Sequence, residues 1–282
     1  MKTKLNIKSL SRLCYIINVS KKQLINIITF FEKKCHRKNI TTKKGKQRQV
    51  VVVSREIKLI QRNILAILYS IYVHDAAHGW RKGRSIKLNA EKHCGNPVKL
   101  CLDIKNCFPN THSLRIRKLF EEFLGCSPVV SKYLTRLTTF DYALPQGFVT
   151  SGAIINILFK NMDVVLSRIA RRNNLVYTRY GDDITFSGRY ISKNVYKKIK
   201  YTIENFGIIL NKEKEEFSEG KSDPLITGIN CSGKYPKVPR SYKRKIRALK
   251  HKATITNNPL QKVRLVREAK HKELFIRYIE RS

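Results

Sequence analysis

The sequence predicts an α+β fold in which an antiparallel sheet is covered by helices on one face. Segments whose apolar residues recur every three or four positions alternate with short apolar runs, and two of these runs flank a tight turn at residues 180–183. The composition, with 42% hydrophobic and 9% aromatic residues over 282 positions, is that of a globular protein. A chain of this length can bury one large core or two smaller ones.

The N-terminal part predicts two amphipathic helices that frame a β-ribbon. Ser20 is a typical helix cap, and the helix after it is expected to run to about Arg37. The valine-rich run Gln47–Val53 predicts a strand, and Ser54 is expected to cap a second helix with an apolar stripe. These elements are expected to form a small basic unit of their own.

The central part predicts the sheet and its covering helices. A strand at 98–104 contains Asp103, and strands at 175–179 and 184–187 are joined across the sequence Tyr-Gly-Asp-Asp. Further elements are expected at other positions: helical segments at 113–137, 151–172 and 195–206, and a last pair of strands near 216–217 and 225–230. The Pro-, Gly- and Ser-rich passage 231–241 is the best candidate for a domain boundary, and basic helices follow it.

The charge of the chain is large and unevenly distributed. There are 58 Lys and Arg against 20 Asp and Glu, a formal charge of +38. Residues 1–48 hold 14 basic and 1 acidic residue, and residues 234–282 hold 16 and 3, so each end carries +13. Such a body is expected to work with a bound polyanion, usually nucleic acid, and a small-molecule enzyme acting alone is disfavoured. The alternative is that basic surface helices only keep the protein soluble.

The cysteines and the apolar runs bear on the cellular compartment. The seven cysteines are odd in number, scattered and without Cys-x-x-Cys spacing, which predicts reduced, mostly buried thiols rather than disulfides or a zinc site. The apolar runs are too short for a signal peptide or a membrane span. The expected location is the cytoplasm, with no membrane partner.

Three acids are the candidates for chemistry. Asp103 lies at the end of one predicted strand, and Asp182 and Asp183 occupy the turn between two others. Adjacent carboxylates in a tight turn repel each other, and bound cations reduce that repulsion. If the strand of Asp103 lies beside the hairpin, Asp103 and Asp182 can bridge two Mg²⁺ ions, with Mn²⁺ as a substitute, for in-line phosphoryl transfer.

An ordered set of motifs surrounds these acids. The segments LDIKNCFPN, LPQGFVTSG, YTRYGDDITFSG, GIILNKEK and ITGIN follow one another between residues 102 and 230, and KQRQVVVVSREIK lies upstream. In this order they resemble the motifs of the reverse transcriptases. The resemblance implies a right-hand polymerase, with fingers at residues 1–95, a palm at 96–233 and a basic helical thumb at 234–282.

The resemblance also implies roles for the acids and for one aromatic residue. Asp103 and Asp182 match the two metal-ligating aspartates, and Asp183 matches the second acid of the turn. Phe108 matches an aromatic that lies beneath the sugar and leaves no room for a ribose 2′-OH, which implies DNA synthesis from dNTPs. The structural alternative is that Phe108 is simply a core aromatic.

Further resemblance implies residues that bind the incoming nucleotide. Gln146 and Gly147 match the motif that contacts the nucleotide, and Arg48 matches an arginine that grips the triphosphate, assisted by Lys46 or Lys44. The structural alternatives are that Gln146-Gly147 is only a turn and that Arg48 is a solvated residue of a strand.

Two segments are similar to elements of the retron enzymes, one class of reverse transcriptase. Asn-Ala-Glu-Lys-His, from Asn89 to His93, matches the Asn-Ala-x-x-His element, and both of its end residues are expected to contact RNA. Ile-Thr-Gly at 226–228 lies where retron enzymes carry Val-Thr-Gly. The short length also favours the retron class, because group II intron enzymes usually add a maturase domain that this protein is expected not to have. The sequence departs from the retron pattern at two positions. Gly181 stands where most retron enzymes have Ala, and the segment after Gln146-Gly147 has Gly152 and lacks the usual proline.

Membership of the retron class implies a specific reaction and specific partners. A retron enzyme binds a structured noncoding RNA that serves as template and primer, and it begins DNA synthesis at the 2′-OH of an internal guanosine. The product is a branched RNA–DNA molecule, multicopy single-stranded DNA. The implied partners are that RNA, the RNA–DNA hybrid and single-stranded DNA product, dNTPs, and an effector protein in antiphage defence.

The C-terminal helices are expected to grip RNA through its phosphates. The residues expected to do so are Arg244, Lys245, Arg247, Lys250, Arg264 and Arg267. The alternative is a helix pair whose apolar side only closes the palm.

Three other functions remain open on the sequence. The first is another bacterial reverse transcriptase, of the abortive-infection or group II intron-derived kind, and the second is an RNA polymerase that shares the Gly-Asp-Asp turn. The third is a non-catalytic RNA-binding scaffold, against which the intact Asp103, Asp182 and Asp183 count.

Overall fold

The structure is a computed structural model, which describes residues 3–42, 45, 47–220 and 224–280. In these ranges the helices are α1 (Leu10–Ile17), α2 (Lys21–Thr29), α3 (Arg55–Leu68), α4 (Ile86–Glu91), α5 (Ser113–Lys118), α6 (Pro128–Thr138), α7 (Ser151–Leu158), α8 (Lys160–Arg172), α9 (Lys193–Asn205), α10 (Arg240–Ile255) and α11 (Pro259–Glu280). The strands are β1 (Cys35–Thr41), β2 (Gln47–Val53), β3 (Val98–Asp103), β4 (Val176–Tyr180), β5 (Asp183–Gly188) and β6 (Glu216–Glu219). The predicted α+β class is confirmed.

The chain divides into two compact units. The first unit contains residues 1–81 and 104–164, and the second contains residues 82–103 and 165–282. The first unit holds the β1–β2 ribbon, and the second holds a four-stranded sheet in the order β4-β5-β3-β6.

The predicted β-ribbon of the first unit is present, but its first strand replaces part of a predicted helix. Ser20 caps α2 through a reciprocal pair of hydrogen bonds with Gln23, at 2.8 and 3.1 Å. This helix ends at Thr29 rather than near Arg37, because Cys35–Thr41 forms β1 and pairs antiparallel with β2 over its full length. Pairing with the following strand overrides the helical pattern of apolar residues at this point.

The long helix predicted at 151–172 is divided in two. The dihedral angles of Phe159, φ −89° and ψ 1°, depart from helical values, so that α7 ends at Leu158 and α8 begins at Lys160, although Phe159 keeps its backbone hydrogen bonds to Ile155 and Asp163. The helical region predicted at 113–137 likewise consists of α5, a π-helical turn at Leu119–Phe123, and α6. The positions of these helices were therefore predicted correctly, but their continuity was not.

The sheet of the second unit is antiparallel throughout, and β3 lies inside it between β5 and β6. Leu100 of β3 and Ile184 and Phe186 of β5 are completely buried. Val98 pairs with Gly188 and Asp103 with Asp183, so the two strands match end to end. This register places the end of β3 beside the start of β5.

The last predicted strand, at 225–230, is instead a tight turn. Ile226 and Ile229 exchange backbone hydrogen bonds of 3.0 Å around Thr227 and Gly228, both of which have positive φ. The two isoleucines belong to a core cluster that also contains Ala90 and Ile279. This cluster joins α4, the turn and the end of α11 within the second unit.

The cysteines are mostly buried, as the sequence predicts. All seven cysteines are free, and five of them are buried. Burial, with a smaller contribution from Glu32, raises the pKa of Cys35 to about 11, so that this thiol stays protonated at neutral pH. Across the described ranges, no helix is both long and apolar enough to cross a membrane.

Candidate active site

The register of the sheet brings the predicted acids to one edge of the second unit. Asp103 at the end of β3 pairs with Asp183 at the start of β5, and Asp183 also pairs with Tyr180. Gly181 and Asp182 are therefore the two central residues of the β4–β5 turn. Only Gly181 has a positive φ, +69°, which is the pattern of a type II′ hairpin turn and suits glycine.

Arg179 supports this turn from inside. Its side chain is completely buried, and its Nη1 donates a hydrogen bond of 3.1 Å to the carbonyl oxygen of Gly181. The guanidinium therefore fixes the peptide that leads into Asp182. A buried cation one residue before the turn also reduces the repulsion between the two adjacent carboxylates.

Lys214 lies on the carboxylate of Asp103. Its Nζ is 2.6 Å from Asp103 Oδ1, and Asn211 Nδ2 lies 3.4 Å from the other carboxylate oxygen. The backbone N–H of Asn211 also donates to the Asp103 carbonyl at 2.8 Å. The Asp103 side chain is 10% exposed and that of Lys214 is 50% exposed, so the ammonium reaches the carboxylate from the solvent side.

The 3-10 turn Lys212–Lys214 that carries this lysine is anchored on α9. Glu215 accepts a hydrogen bond of 2.8 Å from Lys200 and a short one from Tyr196. Burial alone would raise the pKa of Glu215, but the hydrogen bonds from these two residues outweigh it and lower the pKa. The ionised Glu215 thus fixes the turn, and with it the direction from which Lys214 approaches Asp103.

The acids are gathered at one edge but not around a single point. In the part of the chain that the structure describes, no three His, Cys, Asp or Glu side chains are placed so that they could hold a metal ion together. Mg²⁺ is commonly bound by one or two carboxylates, with substrate phosphates and water completing its shell. Asp103 already binds an ammonium, so this edge accepts a cation, and its donors fit a metal ion that a nucleotide helps to bind.

The two residues of the Asn-Ala-x-x-His element lie inside the second unit. His93 is completely buried, with Nδ1 2.7 Å from Ser187 Oγ on β5 and Nε2 2.7 Å from Thr178 Oγ1 on β4. Asn89 is 1% exposed. RNA contact by these side chains stays a prediction, and their burial does not favour it. His93 instead ties together the two strands that flank the acidic turn.

The first unit contains the predicted nucleotide-binding residues. Arg48 is exposed on β2, and the same strand is fastened to the Gln146 loop by a hydrogen bond of 2.7 Å from Val51 N–H to the Gln146 carbonyl. Gly147 has φ +112°, and a Cβ there would lie 2.5 Å from the Val51 carbonyl oxygen, so this position requires glycine. Lys46 and Lys44 lie outside the described residues.

Phe108 is nearly buried, at 8% exposure, and its ring meets Trp80 edge-on with centroids 5.4 Å apart. The indole lies directly on Gly152, where a Cβ would come within 2.3 Å of it. The glycine noted as a departure from the family pattern therefore makes room for Trp80. The role of Phe108 in selecting the sugar stays a prediction, because a phenylalanine that serves only the core would also be buried against Trp80.

The predicted RNA-binding side chains of the C-terminal helices are all exposed. The ring of Tyr242 on α10 lies 5.4 Å from that of Phe275 on α11, which joins the two helices. The exposed cations on their surfaces are Arg244, Lys245, Arg247, Lys250, Arg264 and Arg267. Lys250 forms an ion pair of 2.6 Å with Glu273. These positions are accessible to a polyanion, and their RNA contact stays a prediction.

Sequence reasoning missed the residues that hold the acids in place. Lys214 and Asn211 lie in the recognised segment GIILNKEK, but their contact with Asp103 spans more than a hundred positions and has no local pattern. Arg179 directly precedes Tyr-Gly-Asp-Asp. A basic residue this near to two adjacent acids could have indicated that it supports them. Trp80 had no comparable signal.

The chain matches the reverse transcriptase (RNA-dependent DNA polymerase) family over residues 16–252. This is more than half of its length, and the chain belongs to that family. Together with the sheet that carries the acids, this match identifies the class of the protein as a right-hand polymerase.

Several retron reverse transcriptases are similar to this chain. The Ec86 retron reverse transcriptase of Escherichia coli is 31% identical over 74% of this chain and 67% of its own length. The Mx65 retron reverse transcriptase of Myxococcus xanthus is 30% identical over 75% of this chain. The chain spans only 54% of the length of that second relative.

The fold is also similar to that of a solved telomerase from Candida albicans, in complex with a fragment of telomeric RNA. The TM-score is 0.54 at 14% identity, over 91% of this chain and 60% of the telomerase chain. At this identity the similarity supports the polymerase fold alone.

Replacing Lys214 by Ala should change how the protein responds to divalent ions. In EDTA the free energy of unfolding should fall by about 1 kcal/mol, because Asp103 loses its counter-ion in a half-exposed pair. Millimolar MgCl₂ should narrow the gap in melting temperature between variant and wild type by binding the vacated carboxylate. Lys212→Ala, an exposed lysine of the same turn, is the control, with NaCl at matched ionic strength. A gap that Mg²⁺ leaves unchanged would contradict this prediction.

Replacing His93 by Ala should loosen the hairpin of the acidic turn. The change leaves the hydroxyls of Ser187 and Thr178 buried with a partner missing and opens a cavity, which together cost about 2–4 kcal/mol. We expect a lower melting temperature and a lower kcat in DNA synthesis. His36→Ala, at an exposed position of β1, should cost less than about 0.5 kcal/mol. Equal effects of the two changes would show that His93 does not support the hairpin.

Proposed function

We propose that the protein is a retron-type RNA-dependent DNA polymerase that binds a cognate structured noncoding RNA and copies part of it into DNA. The observation that carries the proposal is the pairing of Asp103 with Asp183 beside the turn that contains Asp182. Membership of the reverse transcriptase family and the retron relatives support it.

In this proposal, the acidic edge of the second unit is the catalytic centre. Asp103 and Asp182 would hold divalent ions, with Asp183 as an accessory acid. Two Mg²⁺ ions, when bound, would stabilise the charge that develops on the attacking and leaving oxygens of phosphoryl transfer. Arg179 would keep the turn in place through the Gly181 carbonyl.

The reaction is the attack of a hydroxyl on the α-phosphate of a dNTP, with release of pyrophosphate. A 3′-OH extends the DNA strand, and we propose that the first attack comes from the 2′-OH of an internal guanosine in the RNA. That step would join the first deoxynucleotide to the RNA by a 2′,5′ linkage, and extension from its 3′-OH would then give the branched product, multicopy single-stranded DNA. An effector protein that uses this product in antiphage defence is part of the same proposal.

The first unit would bind the nucleotide. Arg48 would contact the triphosphate and Gln146 the nucleotide itself, and the hydrogen bond between Val51 and the Gln146 loop would hold the two residues in a fixed relation. Phe108 would exclude a ribose 2′-OH. We propose that residues 1–95 serve as fingers, 96–233 as palm and 234–282 as thumb.

The basic ends of the chain would bind the RNA. The thumb helices carry exposed arginines and lysines, and the chain as a whole carries +38. Binding through phosphates weakens steeply with salt. The RNA-bound form should therefore be the more stable species at moderate ionic strength.

The replacement Asp182→Asn should lower the rate of Mg²⁺-dependent dNTP incorporation on a primed RNA template by on the order of 10³-fold. The reason is that a neutral amide cannot replace the negative charge of a metal ligand. Wild type should prefer dNTPs over NTPs in the same assay. The control is Asp75→Asn, which changes an exposed carboxylate that pairs with Arg81. Activity that survives the change would refute the metal assignment, and a preference for NTPs would favour an RNA polymerase.

Priming from a 2′-OH can be tested with the RNA encoded beside the gene. The protein, co-expressed with an inverted-repeat RNA from the flanking DNA, should yield DNA that retains one ribonucleotide after RNase digestion and loses it to a 2′,5′-debranching nuclease. Replacing the branch guanosine by its 2′-deoxy form should stop synthesis in vitro. DNA that extends only from a 3′-OH would favour an abortive-infection or intron-derived enzyme instead.

A further inference from the structure

A two-residue turn in the first unit holds a tyrosine in a backbone conformation that tyrosine rarely adopts. Phe140 and Ala143 exchange backbone hydrogen bonds of 3.0 and 3.1 Å around Asp141 and Tyr142. Both central residues have positive φ, +51° and +58°, as in a type I′ turn. Asn-Gly suits this turn, and a bulky residue in its second position is strained. Such strain is most often retained where a side chain has a function.

The turn is fixed firmly, but the tyrosine ring is not used for packing. The Tyr142 carbonyl accepts a hydrogen bond of 2.7 Å from Ser113 N–H, and Asp141 accepts a short one from Arg37. The Tyr142 side chain nevertheless remains 73% exposed. The fold therefore fixes the backbone from which this ring extends into solvent, and it gains little from burial of the ring.

A second flat ring lies parallel to it. The planes of His112 and Tyr142 are within 8° of each other, with centroids 6.4 Å apart. His112 is itself fixed, because its Nδ1 accepts a hydrogen bond of 3.2 Å from Leu114 N–H at the start of α5. Two exposed rings held in one orientation form a surface on which a nucleobase can stack.

Both rings line a cavity of about 900 Å³. Its volume is within the range of small-molecule and nucleotide sites. The acids of its wall are already neutralised, since Glu32 pairs with Arg136 at 2.8 Å and Asp141 pairs with Arg37.

The same wall has two further basic residues, whose charge the acids of the wall do not balance. Arg117 pairs at 3.6 Å with Glu121, which lies outside the wall, and Lys132 forms no ion pair with the described residues. The cavity therefore combines a stacking surface with positive charge that its own acids do not balance.

We propose that this cavity binds an unpaired nucleotide of an RNA strand, whose base stacks on Tyr142 and whose phosphates meet Lys132 and Arg117. The choice of RNA as the polyanion rests on the proposed function. An acidic peptide would satisfy the cations but leave both rings without a role. The bases of a duplex are stacked on each other and cannot stack on a side chain.

The test uses a short single-stranded RNA that contains 5-iodouridine, which crosslinks to a stacked aromatic side chain on irradiation. Wild type should crosslink at Tyr142 or His112, as mapped by mass spectrometry. In Tyr142→Gly the affinity for this RNA at moderate salt should fall about tenfold, by loss of one base–aromatic stack. Glycine accepts positive φ, so the melting temperature should rise by about 2–4 °C.

Two controls separate stacking from other effects. Tyr142→Phe keeps the ring and should bind within about twofold of wild type, and so should Tyr201→Ala, which removes a tyrosine of similar exposure, 66%, on α9. Lys132→Ala should reduce the slope of log Kd against log salt by about 0.7, the value for one phosphate contact on a single strand. Unchanged affinity in Tyr142→Gly, or crosslinks only at other sites, would overturn the proposal.

The experiment needs neither nucleotide nor divalent ion. A protein that fails to synthesise DNA can therefore still crosslink at Tyr142, which would retain this site and refute the proposed function. An active polymerase that does not crosslink at Tyr142 would retain the proposed function and refute this site. The variant Asp182→Asn, which lacks a proposed metal ligand, should bind the RNA as wild type does.

Discussion

The pairing of β3 with β5 is the constraint on which the second unit depends, because it sets Asp103 beside Asp183 at the end of the sheet. Side chains alternate along a strand, so a slip of one residue would exchange the buried Leu102 with the acid at the edge. Completely buried residues on both strands, Leu100 and Phe186, prevent such a slip. The hydrophobic core of the sheet thus fixes the positions of its carboxylates.

That register creates an electrostatic problem, and neighbouring elements of the second unit reduce it. Several carboxylates at one edge destabilise the free protein. Arg179 reaches the turn from inside the body, and Lys214 reaches Asp103 from solvent. The buried guanidinium can remain when a metal ion binds, whereas the half-exposed ammonium can leave. The two cations therefore have different roles: Arg179 holds the Gly181 carbonyl, and Lys214 pairs with Asp103.

The sequence predicts local features of this arrangement and misses the distant ones. The bounds of β2, the caps at Ser20 and Ser54, and the acidic turn follow from short patterns, and the structure has them. The predicted helix after Ser20 runs on to about Arg37, into the first residues of β1, because the apolar pattern of a segment does not show that its backbone pairs with another strand. The contacts of Lys214 with Asp103 and of His93 with Ser187 depend on the finished fold in the same way.

Backbone strain is distributed differently between the acidic turn and the other tight turns. The acidic turn has glycine at its one positive φ and needs no compensation there. Thr227 and Tyr142, each at positive φ, cost about 1–3 kcal/mol, and they lie in the retron-like Ile-Thr-Gly segment and beside the cationic cavity. A relaxed acidic turn keeps its geometry when no ligand is bound. The Thr227 hydroxyl donates a hydrogen bond of 3.3 Å to the Ile86 carbonyl, so a contact within the second unit compensates for its strain. The Tyr142 ring is instead 73% exposed, and the base stacking proposed above would compensate for the strain there.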